Sequence, residues 1–164
     1  MLIREYQEND LTAMTGLWNT IVAEGDSFPQ EDPLTPEEAR KFFASQTASV
    51  CAFGEDGGLL GLYILHPNNV GRCAHIANAS YAVAPGARGQ GIGRTLVVHS
   101  LQTAKESGFL GLQYNAVVTT NETAVHLYEK LGFQRLARIE NGFRADDGYR
   151  DTYIFFKTWP QHQS

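Results

Sequence analysis

Residues 83–94 read Val83-Ala84-Pro85-Gly86-Ala87-Arg88-Gly89-Gln90-Gly91-Ile92-Gly93-Arg94. Glycines at 89, 91 and 93 let backbone N–H groups approach a ligand with no side chain in the way. A helix starting near Gly91 would aim its unpaired amides and the positive end of its dipole at the same point. The stretch therefore reads as an anion cradle whose natural occupant is a phosphate-bearing cofactor. A plainer account uses the same glycines for tight strand–helix packing. No Lys-Ser/Thr pair follows the last glycine, so this is not a Walker loop, and Gly89-x-Gly91-x-Gly93 departs from the G-x-G-x-x-G spacing of dinucleotide folds.

Working outward, residues 74–83 alternate as a strand that delivers the turn, with Asn78 a polar, weakly strand-forming residue at its centre. Residues 91–107 form a helix whose core stripe is Ile92, Leu96, Val97, Leu101 and Ala104, stopped by Gly108. A strand over 110–118 and a helix over 121–131 follow. Residues 133–139 and 149–157 then close the sheet as an antiparallel pair across a 141–148 connection. Upstream, residues 2–6 form a strand and Asp10 caps a helix over 11–23. Thr35-Pro36-Glu37-Glu38 is a capping box that opens a helix over 36–45. Strands 49–53 and 59–66 are joined by the turn Glu55-Asp56-Gly57-Gly58. The order β-α-α-β-β-β-α-β-α-β-β is that of an α/β chain with a mixed central sheet and helices on both faces.

A chain of 164 residues suits one domain over 1–164, and 43% hydrophobic content excludes disorder. The N-terminus carries no basic lead, and the longest apolar stretch, 57–65, is too short to span a bilayer; a cytoplasmic address without a membrane partner is the expectation. Cys51 and Cys73 lack metal-ligand spacing and read as reduced, buried core thiols, with no metal. The net charge of −5 argues against a nucleic-acid partner. Residues 57–105 hold no Asp or Glu, so the glycine turn sits in a stretch free of anions that would repel a pyrophosphate. Residues 24–38 are the opposite, with Glu24, Asp26, Glu31 and Asp32 left over after helix capping accounts for Glu37 and Glu38.

Arg88-x-x-Gly91-x-Gly93, followed by Asn121-x-x-Ala124-x-x-Leu127-Tyr128-x-Lys130-Leu131-Gly132-Phe133, resembles the two signature segments of the GNAT superfamily of acyl-CoA-dependent N-acetyltransferases. The resemblance implies a GNAT-like fold and acetyl-CoA as co-substrate. The pyrophosphate would lie after Arg88 on the amides of Gly89, Gln90, Gly91, Ile92 and Gly93, with Arg94 as an added cation. The main chain of Tyr81, Ala82 and Val83 would pair with the pantetheine arm where the family's sheet splays, and an N–H near Val83 would polarise the thioester carbonyl. Asn121 would hold the pantetheine and Tyr128 would protonate the leaving thiolate. Seven residues apart on one helix, these two face the same way at a separation of roughly 10 Å. A helix N-cap and a core aromatic are the plainer readings of the same residues.

Transfer also requires a neutral acceptor amine, hence a base. Glu24 and Asp26 are the candidates, because the loop after the first helix lines the acceptor side in this family; a solvated acidic loop is the alternative. His75 and Tyr81, on the Asn78 strand, could serve as well, although a lone strand histidine is more often structural, while His66, His99, His126 and His162 show no partner pattern. The blocks 75–83 and 113–118, with Asn121, also look like the branch containing the yeast acetyltransferase that acts on the proline analogue azetidine-2-carboxylate. That likeness implies that Asn78 and Asn115 border the acceptor pocket, a buried partner being the plainer account of Asn78; Trp18, Phe28 and Phe143 are separate wall candidates for which core packing is the default. The implied activity is direct acetyl transfer, in a ternary complex, to the amine of a small molecule such as an amino acid or analogue, and a homodimer is compatible with it. A non-catalytic acyl-CoA-binding module and a protein or peptide lysine acetyltransferase are the competing readings.

Overall fold

The computed structural model describes residues 1–161; His162 lies outside them. The main elements are β1 (Leu2–Glu5), α1 (Leu11–Glu24), α2 (Pro36–Ala44), β2 (Ala48–Phe53), β3 (Leu59–Pro67), β4 (Ile76–Val83), α3 (Ile92–Glu106), β5 (Gly111–Val118), α4 (Glu122–Lys130), β6 (Gln134–Ala145) and β7 (Gly148–Thr158). The strands form one seven-stranded sheet in the order β1-β2-β3-β4-β5-β7-β6. Only β4 and β5 run parallel. The mixed sheet and the element order agree with the sequence reading.

Strand alternation builds a core on each face of the sheet. Val50, Ala52, Tyr63, Leu65, Ala77 and Ala79 turn toward α3, joining Leu96, Val97 and Leu101. Cys51, Phe53, Leu62, Ile64 and Ala82 turn the other way, toward Met14, Trp18 and Ile21 of α1 and Phe43 of α2. Among the described residues no helix is long and apolar enough to cross a membrane.

Local chemistry departs from expectation at four places. Asp10 precedes α1 but already has helical dihedrals, and its carboxylate accepts the Gln7 N–H at 2.7 Å and pairs with Arg4 at 2.7 Å instead of capping the helix. The Arg4 hydrogen bond holds the Asp10 carboxyl below its ordinary value. Cys73 is exposed, in a single 3-10 turn over Gly71–Cys73 that delays β4 to Ile76; Cys51 is buried as expected. The closing hairpin is longer than 133–139 and 149–157. Its strands continue through the Asn141-Gly142 segment, which reads locally as a turn, and meet at Ala145↔Gly148. Asn141 adopts φ 54° within a register shift between Ile139 and Phe143, and its N–H donates to Asp151 at 3.0 Å, so turn chemistry here serves a bulge.

Gly61 of β3 leaves no room for a side chain beneath α3. A Cβ there would lie 2.8 Å from the Ala82 carbonyl oxygen and 2.9 Å from Leu96 Cδ1. Gly61→Ala should therefore push the first turns of α3 off the sheet, with an overpacking cost of about 1–3 kcal/mol. Urea denaturation checks this; an unchanged midpoint would contradict the close approach.

Candidate functional site

β4 pairs with β3 along its length, from Pro67↔Ala77 to Gly61↔Val83. On its other side it pairs with β5 only at Ile76↔Gly111 and Ala77↔Leu112. Past Ala77 the two strands part. β5 remains with β7 through a register shift between Tyr114 and Val117, and so follows β7 away. The β5-facing edge of β4 is left without a backbone neighbour from Asn78 to Val83, and a cleft opens between the strands.

The glycine turn stands at the far end of this edge. Gly89 and Gly91 have φ 78° and 79°, conformations that favour glycine, and a Cβ on either would meet nothing within 4 Å. A Cβ on Gly93 would meet only Val83, at 3.8 Å. Packing against the sheet thus does not explain these glycines; backbone conformation and an open surface do. Gly91 is the N-cap of α3 without a side-chain cap, and the helix's first backbone bond runs from Thr95 N–H to the Gly91 carbonyl at 3.1 Å. The amides ahead of Thr95 point outward unpartnered, an anion-binding arrangement. The Arg88 guanidinium is directed elsewhere: one nitrogen donates to both Glu24 carboxylate oxygens, at 2.7 and 2.8 Å. Among the described residues no acid pairs with exposed Arg94.

A cavity of about 220 Å³ occupies the cleft. It brings together Phe28, Asn78, Tyr81, Asn115, Asn121 and Tyr128 from the candidate set, and adds Ser27, Ser80, Tyr114 and Val117 among others. Asn121 caps α4 by accepting the Ala124 N–H at 3.4 Å and also lines the cavity. The Asn78 amide has no hydrogen-bond partner among the described residues, yet no fully buried side-chain polar atom lacks one; the amide is therefore open to the cavity. The Tyr128 hydroxyl is placed likewise. The Asn115 amide is occupied, accepting from Gln113 at 3.0 Å and donating to Asn68 at 2.7 Å.

Phe28 walls the cavity with its ring 4.4 Å from that of Trp18, which is itself buried behind it as core. Glu24 and Asp26 line a separate cavity of about 210 Å³ with Phe143, Asp146, Asp147 and Arg150. Val118 is the wall common to both cavities. His75 is exposed and outside either lining. The loop that carries Phe28 is fixed at its far end by Asn19, whose amide donates to the Leu34 carbonyl at 2.9 Å and accepts the Leu34 N–H at 2.8 Å. Glu31 pairs with Arg144 of β6, tying the same loop to the closing hairpin. No group of three or more His, Cys, Asp or Glu suited to a metal occurs among the described residues.

The cavity floor carries a network of hydroxyls that sequence spacing did not reveal. The Tyr81 hydroxyl lies 2.7 Å from both Tyr114 Oη and Ser100 Oγ, and Ser100 donates to the Val97 carbonyl at 2.7 Å. The Tyr114 ring lies 4.4 Å from the Tyr128 ring and stacks on Phe133 at 4.9 Å. Burial pushes the hydroxyls of Tyr81, Tyr114 and Tyr128 up from the ordinary tyrosine value. Tyr128 therefore keeps its proton at neutral pH.

The chain is similar to known proteins in sequence and in fold. The sequence pattern of the Acetyltransferase (GNAT) family matches residues 17–133. N-acetyltransferase aca1 of Schizosaccharomyces pombe is 31% identical over 94% of this chain and 82% of its own length. Phosphinothricin N-acetyltransferase of Streptomyces coelicolor is 30% identical over 91% of each chain. The solved structure of a GCN5-related N-acetyltransferase from Kribbella flavida superposes with TM-score 0.89 at 33% identity, covering 96% of this chain and 97% of its own.

The buried phenols give the site a measurable pH signature. Burial also raises Tyr63, to about 12. A phenol that ionises later in the folded chain than in the unfolded one, where its pKa is about 10, favours folding below that pH. This stability should be intact below about pH 10 and be lost as pH climbs through the raised values. The urea midpoint measured across alkaline pH checks this; a midpoint unchanged to about pH 12 would contradict the burial of these hydroxyls.

Proposed function

The chain belongs to the acetyltransferase (GNAT) family, and we propose that it moves the acetyl group of acetyl-CoA to the amine of a small molecule, an amino acid or analogue, within a ternary complex. One observation carries this reading: the unpaired β4 edge runs from the open amides of the glycine turn to a cavity that holds the Tyr128 phenol. An extended phosphopantetheine has backbone groups to pair with along that edge, and its diphosphate has Gly89 to Gly93 at one end. Arg94 supplies the nearby cation. The Arg88 side chain, held by Glu24, contributes through the conformation of the turn it opens.

In the reaction the amine nitrogen attacks the thioester carbonyl, forming the C–N bond and placing negative charge on the carbonyl oxygen, which an N–H near Val83 receives. Collapse breaks the C–S bond. The departing thiolate takes the Tyr128 proton, which solvent later restores, and the amine's surplus proton leaves toward Glu24 or Asp26 through water across the Val118 wall. Asn78, with its open amide, holds the acceptor, as expected for the branch containing the azetidine-2-carboxylate acetyltransferase, and Phe28 walls it. Asn115 serves by shaping the wall. A cavity of about 220 Å³ favours a small molecule over a lysine-bearing tail.

Tyr128→Phe separates catalysis from mere binding of acyl-CoA. Turnover should fall by about 10²-fold or more, the usual contribution of a positioned acid, while the Kd for CoA measured by calorimetry stays within about 2-fold. Unchanged turnover would remove Tyr128 from the mechanism. A thiol-release screen with acetyl-CoA against amino acids, amino-acid analogues, polyamines and a lysine peptide should single out a small amine; turnover with the peptide alone would overturn the small-molecule reading.

A further inference from the structure

Nothing in the backbone holds β4 and β5 at a fixed separation once their pairing ends at Ala77↔Leu112. The strands are rejoined through side chains. Tyr81 of β4 and Tyr114 of β5 meet hydroxyl to hydroxyl at 2.7 Å beneath the cavity, and Ser100 of α3 anchors the pair. Proton counting fixes the direction. Ser100 has one hydroxyl proton and spends it on the Val97 carbonyl, so it must accept from Tyr81, and Tyr81 must in turn accept from Tyr114. The chain ends on a carbonyl and so conducts no proton; what it supplies is geometry.

We infer that Tyr114 is a positioning residue for the reaction, its hydroxyl anchored through Tyr81 to Ser100 so that its ring fixes the Tyr128 phenol in the cleft. The inference rests on the reading of Tyr128 as the acid of the thiolate. Tyr128 has no hydrogen bond of its own among the described residues, so its direction is set by the rings around it: Tyr114 at 4.4 Å, Phe133 at 5.6 Å and Phe155 at 5.7 Å. Of these three only Tyr114 can be tethered by a hydrogen bond, and it is only 4% exposed. Two phenylalanines would fill nearly the same space with slack at the point where the oxygens now touch. A small misplacement of a reacting group is enough to cost turnover.

The test compares wild type, Tyr114→Phe, Tyr128→Phe and the double variant, with urea midpoints confirming that each folds. Kinetics use the best amine from the thiol-release screen. Tyr114→Phe should lower kcat about 5- to 20-fold with KM for acetyl-CoA within about 2-fold and an unshifted pH profile, and should have little further effect once Tyr128 is Phe. In parallel, NMR of the free protein with ¹³C-labelled tyrosine should show the Tyr128 ring restrained in wild type and faster-flipping in Tyr114→Phe. An equal loss from Tyr114→Phe in both backgrounds, or an unchanged Tyr128 ring, would overturn the positioning role alone. Unchanged turnover in Tyr128→Phe would remove the acid reading and this role with it.

Discussion

Two residue pairs decide this molecule. Ile76↔Gly111 and Ala77↔Leu112 are all the parallel pairing that joins the β1–β4 part of the sheet to β5, β7 and β6. Had the pairing continued, Asn78 to Val83 would bond to β5 and there would be neither an open edge nor a cavity. It stops just ahead of the irregularity between Tyr114 and Val117 of β5, beyond which β5 keeps its antiparallel pairing with β7 on the other edge and none with β4. The cost of unpaired backbone is tolerable only where a ligand or water can satisfy it. In a family of acyl-CoA enzymes, the cofactor arm is the group suited to do so.

Charge is sorted along the same edge. The glycine turn offers amides and Arg94 to an anion, while Glu24, Asp26, Asp146 and Asp147 gather at the separate cavity beyond the Val118 wall. The Arg88–Glu24 pair joins the two regions and fastens the end of α1 to the turn. As an exposed ion pair it contributes little to stability, on the order of 0–1 kcal/mol, and its worth is in orientation. The cleft cavity is lined by amides, hydroxyls and apolar side chains, an environment in which an uncharged amine is not penalised.

What could be read in advance was local. The α3 stripe follows from a periodicity of a few residues and is buried as the sequence implied, and Asn121 and Tyr128, seven residues apart, both line the cavity. Longer-range chemistry was hidden. Tyr81 and Tyr114 lie 33 residues apart and converge only because the sheet places them over Ser100; Glu24 and Arg88 are 64 apart. Some local signals pointed the wrong way, since Asn141-Gly142 reads as a turn yet bulges within β6, and Asp10 reads as a cap yet answers Arg4. In both cases a partner distant in sequence or an adjoining strand outweighed the residue's own preference.

Hydrogen–deuterium exchange of the whole chain, with and without acetyl-CoA, tests the central claim that the parted strands receive the cofactor. The account predicts slowed exchange at the amides of the β5-facing edge of β4 and at Gly89 to Arg94, with the antiparallel β6–β7 hairpin unchanged. Binding that protects other segments and leaves both of these exchanging as before would contradict it.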